Sequence, residues 1–274
     1  MPVVPFKDPQ SSKDSSARDV SDGWFDDESE GGKMSFLEHL DELRKRIVNI
    51  CISIAVGVVI GFYWISTIID FILAPTRRVL PEGTSMIYTQ PGEAFSLYIT
   101  VSLISGAIIA APLIMYQVWL FIAPGLYSNE KRLAIPFVLF STLGVIGGAA
   151  FNHYVAFPFI MAFFASFNSI DLKFLPKLDE VFGLYVKMLL GIAAVFQMPT
   201  VIFFLAKMRM VTARFLVRNL KFALLLIVIL AAVITPTGDP VTQMIFAAPM
   251  LGLYLISIVI AWIVVPKELA DASS

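Results

Sequence analysis

The chain has 274 residues, of which 58% are hydrophobic and only 15% are charged, and its mean hydropathy is +0.81. A soluble domain usually carries about 25% charged residues, so this composition excludes an ordinary soluble protein and requires a surface that faces lipid. The net charge of −1 gives no support to a nucleic-acid partner. The single cysteine, Cys51, excludes both a disulfide framework and a cysteine metal site.

The first 32 residues are rich in Ser, Asp and Glu and contain few apolar groups. Such a segment cannot repay the entropy of ordering, so residues 1–32 are predicted to be a disordered acidic N-terminal tail. No basic stretch followed by an apolar run is seen there, and we expect the first span to act as the insertion signal. From Met34 onward, apolar residues recur at helical spacing, which predicts a short amphipathic helix leading into the membrane.

Six apolar stretches follow, and a helical span needs about 20 such residues. They predict an all-α polytopic membrane protein with six transmembrane helices, of which the fifth and sixth are short. The predicted spans are 47–69, 95–119, 133–157, 181–206, 222–235 and 241–265. The fifth would cover only about 21 Å of a hydrocarbon core of about 30 Å. Either it begins near Phe215, with Arg218 and Lys221 at its snorkelling end, or the bilayer is thinned around it.

Lysine and arginine set the expected orientation, because cytoplasmic loops carry an excess of them. With both termini in the cytoplasm, only Arg77, Arg78, Lys173 and Lys177 lie clearly outside. The expected organisation is therefore the tail 1–32, a six-helix membrane domain 33–266 and a short cytoplasmic tail 267–274. The outer connections 70–94 and 158–180 hold prolines and apolar residues, and are predicted to form caps at the outer interface.

Polar or small residues inside the apolar spans carry further information. Gln197 lies well inside the fourth span and is followed by Pro199, which predicts a kinked helix with a polar spot at mid-depth. A hydrogen bond from Gln197 to a neighbouring helix is the alternative explanation. His153, near the end of the third span, has no Asp, Glu or Cys partner at useful spacing, so a metal site is rejected. Two glycine pairs of small-xxx-small spacing, at 57/61 and 144/148, favour ordinary bundle packing.

Enzyme motifs are missing from the sequence: there is no GxSxG, HExxH, P-loop or GxGxxG. We therefore expect neither catalysis nor a cofactor. Two acidic residues, Glu42 and Glu130, lie beside basic residues where the chain meets the membrane. Ordinary surface pairing, such as Glu42 with Arg46, is worth only tenths of a kcal/mol and is the simplest reading of these carboxylates taken alone.

Five stretches, taken in chain order, resemble the TatC family, the core receptor of the twin-arginine protein translocase. They are FLEHLDELRKRI, APLIMYQVWLFIAPGLYSNEKR, HYVAFPF, AAVFQMP and TPTGDPVTQ. The resemblance runs from about residue 34 to residue 266, and several motifs in the right order make it specific. The acidic tail lies outside it.

TatC proteins recognise folded export substrates through a signal peptide with two adjacent arginines, which cytoplasmic acidic residues receive. The resemblance places the two carboxylates at Glu42 and Glu130, with neighbouring residues that hold and shape them. The implied signal-peptide-binding residues are Glu42, Glu130, Arg44, Arg132, Phe121 and Pro124. Guanidinium groups bind carboxylates bidentately, which agrees with this assignment.

Five other positions match family motifs. Pro75, Asp239 and Gln243 are given a structural or assembly role, and Gln197 with Pro199 a contact with a partner helix. Many TatC proteins carry Glu where this chain has Gln197, and Gln cannot ionise. A model in which this residue titrates with the proton-motive force is therefore not supported, while a hydrogen-bonding role remains.

The resemblance implies a receptor and scaffold in the inner membrane of a prokaryote, driven by the proton-motive force. Its implied partners are twin-arginine signal peptides, single-span TatA and TatB subunits, other TatC copies and membrane lipids. The competing class is a small-solute or ion transporter with Gln197 at a midplane site. A membrane-embedded enzyme is a weaker third class.

Overall fold

The computed structural model describes residues 36–80, 85–122, 134–169, 173–235 and 239–264. The chain divides into two compact units, residues 1–43 and 44–274. Of the first unit, residues 36–43 are described, and they form the start of the first helix. The helices, in chain order, are α1 Phe36–Tyr63, α2 Ile65–Val79, α3 Glu93–Ile109, α4 Ala111–Ile122, α5 Ala134–Phe151, α6 Phe157–Ala165, α7 Leu178–Val195, α8 Met198–Lys207, α9 Ala213–Arg218, α10 Leu220–Ile234 and α11 Pro240–Val264.

The predicted all-α fold is confirmed, since the described residues hold helices and a single isolated β-bridge. Four helical stretches are long and apolar enough to cross a membrane: 38–63, 134–165, 178–207 and 240–264. The pair α3–α4, bent by 59° around Ala110, makes a fifth if it is one span. The remaining predicted span, the fifth, corresponds to the shorter helix α10.

The lengths of the last two helices differ from one another. Helix α10 has 15 residues, so the prediction of a short fifth helix is confirmed. The prediction of a short sixth helix is wrong, because α11 has 25 residues. At about 1.5 Å per residue it is about 37 Å long and exceeds the hydrocarbon core. The stretch from Val241 to Val264 contains no Asp, Glu, Lys or Arg, and Pro249 lies inside the helix without ending it.

The first predicted span, 47–69, is too long at its end. Helix α1 ends at Tyr63, and α2 begins at Ile65 after a one-residue break at Trp64. Ile65 and Ile69 belong to α2 and are buried in the main core. Hydropathy gives an apolar residue the same value whether it faces lipid or packs against protein. The apolar composition of this stretch therefore did not show where α1 ends and α2 begins.

Two of the described helices fall largely within the predicted outer connections 70–94 and 158–180: α2, which reaches Val79, and α6, Phe157–Ala165. We call these two helices, together with residues 85–92 and 173–177, the cap. One face of α2 is buried through Ile72 and Leu73, while Asp70 and Arg77 form an exposed salt bridge of 2.9 Å. The two connections meet at an isolated bridge, where the N–H of Leu178 donates to the carbonyl of Ile87 at 2.8 Å. The cap thus joins two segments that are far apart in sequence.

The third span is longer than predicted, because helical structure runs from Ala134 to Ala165 rather than ending at Phe157. A π-helical segment, Asn152–Ala156, connects α5 to α6. Pro158 is the second residue of α6, which directly follows the π-helical segment. Phe157 and Ile160 are fully buried in the main core, so the extension serves packing rather than lipid contact.

The glycine pairs mark close helix contacts within the chain, as ordinary bundle packing predicts. A Cβ added at Gly57 of α1 would collide with the backbone of Gly106 in α3. A Cβ at Gly148 of α5 would lie 2.8 Å from Cα of Ala193 in α7. These helices approach so closely only because the side chain is absent.

We predict that Gly106→Ala lowers stability by about 1–3 kcal/mol, because the added methyl would lie 2.8 Å from Cα of Val58. The measurement is the midpoint of thermal unfolding in detergent. Gly183→Ala in α7 is the matched control, since a Cβ there meets nothing within 4 Å. It should leave the midpoint unchanged or raise it, because alanine is the better helix former. Equal midpoints for the two variants would contradict the packing role of Gly106.

Candidate functional site

The structure describes half of the predicted signal-peptide-binding residues. Glu42 is half-buried on α1, Arg44 is exposed on the same helix, and Phe121 is half-buried near the end of α4. Pro124, Glu130 and Arg132 lie outside the described residues. The structure does describe the two helices that flank residues 123–133, namely the end of α4 and the start of α5. We call these two helix ends the framework.

An aromatic cluster holds that framework together. Trp119 of α4, Phe137 of α5 and Phe204 of α8 are buried and form a separate core of their own. Their ring centroids lie 4.7 to 5.3 Å apart in tilted or edge-to-face arrangements. Contacts of this kind add about 0.5–1.5 kcal/mol per pair beyond the burial of area. The ends of α4 and α5 are therefore fixed with respect to each other and to α8.

A hydrogen bond links α1 to α4 near the same cluster. Nη1 of Arg46 donates to Oε1 of Gln117 at 3.4 Å. Sequence reasoning considered Arg46 only as a surface partner for Glu42 and did not single out Gln117. The available signal was the same as for Gln197, an amide placed inside an apolar helix.

An apolar groove of about 430 Å³ runs between α4 and α5. Its lining includes Pro112, Tyr116, Ile135, Val138, Leu139 and Thr142. None of the residues that line it is charged. Ile135 and Leu139 are largely exposed, so the groove is open at the surface of the helices that flank residues 123–133.

Gln197 and Pro199 lie at the junction of α7 and α8. Helix α7 ends at Val195 and α8 begins at Met198, so the predicted interruption of the fourth span is present. Nε2 of Gln197 donates to the backbone carbonyl of Ser141 in α5 at 3.0 Å. The alternative of a hydrogen bond to a neighbouring helix therefore accounts for the amide nitrogen. Oε1 of Gln197 accepts no hydrogen bond from the described part of the chain.

Asp239 and Gln243 are brought together at the start of α11. Oδ2 of Asp239 accepts a hydrogen bond of 2.8 Å from the N–H of Thr242, so Asp239 caps the helix, with Pro240 as its first residue. Nε2 of Gln243 donates to the carbonyl of Val228 in α10 at 2.9 Å. One residue of the pair therefore starts α11 and the other fastens it to α10.

Pro75 lies far from these groups, inside α2 and buried in the cap. In the same region His153 of the π-helical segment stacks on Phe71 of α2, with ring centroids 3.7 Å apart. Asn152 donates to the carbonyl of Tyr185 in α7 at 3.5 Å. These contacts hold the π-helical segment between α2 and α7.

Comparison with known proteins agrees with this arrangement. Residues 38–249 match the family model described as Sec-independent protein translocase protein (TatC). A protein of Koribacter versatilis (strain Ellin345) named Sec-independent protein translocase protein TatC is 40% identical over 240 residues, which are 86% of this chain and 88% of the relative. Its namesake in Helicobacter pylori (strain J99 / ATCC 700824) is 37% identical over 228 residues, which are 83% of this chain and 89% of the relative.

Two solved structures are also similar. A crystal structure of the twin arginine translocase receptor TatC superposes with a TM-score of 0.69 at 34% identity, and covers 82% of this chain and 98% of that chain. A second crystal structure of such a receptor, in DDM, gives a TM-score of 0.72 at 32% identity and covers 82% of this chain and 99% of that chain.

We predict that Trp119→Ala lowers stability by about 3–5 kcal/mol, because it empties the centre of the aromatic cluster. Trp262→Ala is the control, since Trp262 is 66% exposed and should tolerate truncation. Thermal unfolding of both variants in detergent measures the difference. If Trp119→Ala melts no earlier than Trp262→Ala, the cluster does not hold α4, α5 and α8 together.

A second pair of variants separates charge from capping at Asp239. Asp239→Ala should cost about 1 kcal/mol, because the N–H of Thr242 loses its acceptor. Asp239→Asn keeps an oxygen acceptor and should retain most of the stability. Unfolding midpoints are again the measurement, and an Asn variant as unstable as the Ala variant would show that the charge matters rather than the cap.

Proposed function

Because the chain belongs to the TatC family of Sec-independent protein translocase proteins, we propose that it is the receptor and scaffold subunit of a twin-arginine translocase. The observation that carries the proposal is the 34% identity, over 98% of its length, to a protein whose crystal structure is that of a twin arginine translocase receptor. Several long apolar helices make this chain a multi-pass membrane protein.

Recognition of the signal peptide rests on Glu42 and Glu130. Each carboxylate accepts a forked pair of hydrogen bonds from one guanidinium of the twin-arginine motif, a geometry that lysine cannot reproduce. Arg44 and Arg132 hold the carboxylate-bearing segments, and Phe121 and Pro124 shape the loop. The aromatic cluster supports this proposal, because it fixes the two helices from which residues 123–133 extend.

The apolar part of the signal peptide then inserts along the helices. The α4–α5 groove suits this step, since it is open, is lined by uncharged side chains and flanks residues 123–133. Burial of an apolar peptide segment there contributes about 25 cal/mol of favourable free energy per Å² of apolar surface, and no charged group loses its contact with water.

Assembly with single-span TatA and TatB subunits uses the polar group inside the membrane. Oε1 of Gln197 is the acceptor offered to a partner helix, because Nε2 is already bound to Ser141, and Pro199 shapes the junction beside it. Pro75, Asp239 and Gln243 hold the cap and the α10–α11 junction in the form that partners and other TatC copies meet. Surrounding membrane lipids complete the set of partners.

The subunit is not an enzyme and needs no cofactor. It lies in the inner membrane of a prokaryote with both termini in the cytoplasm, and the proton-motive force drives export of folded cargo. The excess of lysine and arginine in the connections assigned to the cytoplasm supports this orientation.

Glu42→Gln and Glu130→Gln test the recognition step. Each should weaken binding of a fluorescent twin-arginine signal peptide to the purified protein about tenfold or more, because a charge-assisted hydrogen bond is worth about 1.5–3 kcal/mol. A peptide with two lysines should bind more weakly to the unsubstituted protein and lose less in the variants. The difference between the two peptides isolates the guanidinium–carboxylate contact.

Glu180→Gln is the matched control. This carboxylate lies in the first turn of α7, and its ion pair within the described residues is an exposed contact of 3.5 Å with Lys177, so its loss should not alter peptide binding. If both Glu42→Gln and Glu130→Gln bind the twin-arginine peptide as tightly as the unsubstituted chain, the assignment of these carboxylates is wrong. Equal losses with the control would point to a general charge effect instead.

A further inference from the structure

A second groove, of about 490 Å³, lies between α9 and the end of α11. It is lined by Arg214, Val217, Arg218, Ile258, Val259 and Trp262. Val217, Val259 and Trp262 are more than half exposed, so the apolar wall is open on the outer surface of the helices. The volume falls within the range of about 300–1,000 Å³ that is typical of ligand sites.

The groove is preformed, because α9 is fastened to α11. Leu216 on the inner side of α9 is buried, and the hydroxyl of Tyr254 donates to its carbonyl at 2.9 Å. At the start of α9, Oγ1 of Thr212 accepts from the N–H of Phe215 at 3.2 Å, and at its end Asn219 donates to the carbonyl of the same residue at 2.9 Å. The two walls therefore hold their separation without a ligand.

The mouth of the groove is strongly basic. Arg214 and Arg218 are four residues apart on α9, so they lie one turn from each other on the same side of the helix. Residues 207–221 contain no Asp or Glu, and their other cations, Lys207, Arg209 and Lys221, do not line the groove. Arg218 makes no ion pair within the described residues. The positive charge of the two guanidinium groups therefore favours binding of an anion at this end of the groove.

We propose that this groove binds an anionic phospholipid. The guanidinium groups of Arg214 and Arg218 receive the phosphate, for which their planar donors are well matched. An acyl chain lies along Val217, Ile258 and Val259. Trp262, near the end of a membrane-spanning helix, sits at headgroup level with its indole half apolar and half polar.

The α4–α5 groove shows what distinguishes this site. It is of similar size, about 430 Å³, but has no charged residue in its lining. An apolar groove alone takes any acyl chain, whereas the two arginines select for headgroup charge. The lipid site lies on α9 and α11, and its occupancy does not depend on recognition of a signal peptide.

Native mass spectrometry of the full chain in detergent, with graded phosphatidylglycerol or phosphatidylcholine, tests the proposal. The unsubstituted chain should retain phosphatidylglycerol in preference to phosphatidylcholine. Arg214→Gln combined with Arg218→Gln should weaken retention of phosphatidylglycerol about thirtyfold, since each basic residue near an anionic lipid strengthens binding about fivefold. Val259→Trp, which fills the groove and keeps both arginines, should weaken retention as well.

Lys207→Gln combined with Lys221→Gln is the control, because it removes the same charge from the same basic run outside the groove lining. It should leave retention within about twofold of the unsubstituted chain. An equal loss in this control, or equal retention of phosphatidylcholine, would overturn the site. If soluble glycerol phosphate displaces the lipid at a concentration equal to that of the lipid, the acyl chain adds nothing to binding and the acyl groove is excluded.

Discussion

Lipid offers no hydrogen bonds, so every interruption of a membrane helix must be satisfied by the protein itself, and this constraint shapes the whole molecule. At the α3–α4 bend, the N–H of Ala110 still donates to Gly106 and that of Ile114 to Ala110, so the chain turns by 59° with its ladder nearly intact. At the α7–α8 junction the N–H groups of Phe196 and Gln197 still donate to the carbonyls of Ile192 and Ala194, and the side chain of Gln197 binds the carbonyl of Ser141 in α5. Both helix interruptions lie beside a neighbouring helix. At the second, the polar side chain of Gln197 reaches that neighbour.

Composition and spacing were sufficient for the class of fold, because membrane spans are defined by length and apolarity alone. The short fifth helix, the interruption at Gln197 and the spacing of the glycine pairs are all local features, which a sequence shows without knowledge of neighbouring helices. The boundaries at Trp64 and Ala165 could not be predicted, since no proline or glycine marks the first and the second depends on burial of α6. The description of the sixth helix as short was wrong, although the apolar stretch 241–265 from which it was predicted has nearly the bounds of α11, Pro240–Val264.

The site was predictable only in part for a related reason. Family motifs indicated single residues. The contacts that hold the helices carrying those residues, however, join positions that are far apart in the sequence. Trp119, Phe137 and Phe204 come from three helices, and Arg46 reaches Gln117 across a separation of 71 residues. Aromatic residues are abundant in any membrane span, so nothing in the sequence distinguishes these three from those that face lipid. Their role follows from packing, which one sequence does not contain.

The π-helical segment Asn152–Ala156 has a consequence for how this family can vary in length. A π turn holds one residue more than an α turn, which rotates everything beyond it by about 100° around the helix axis. Phe157, Ile160 and Met161 are fully buried only with that extra residue in place. A single-residue deletion in this segment would therefore act as a rotation of α6 rather than as a shortening. Gaps in this part of a TatC alignment thus carry information about which face of the helix meets the core.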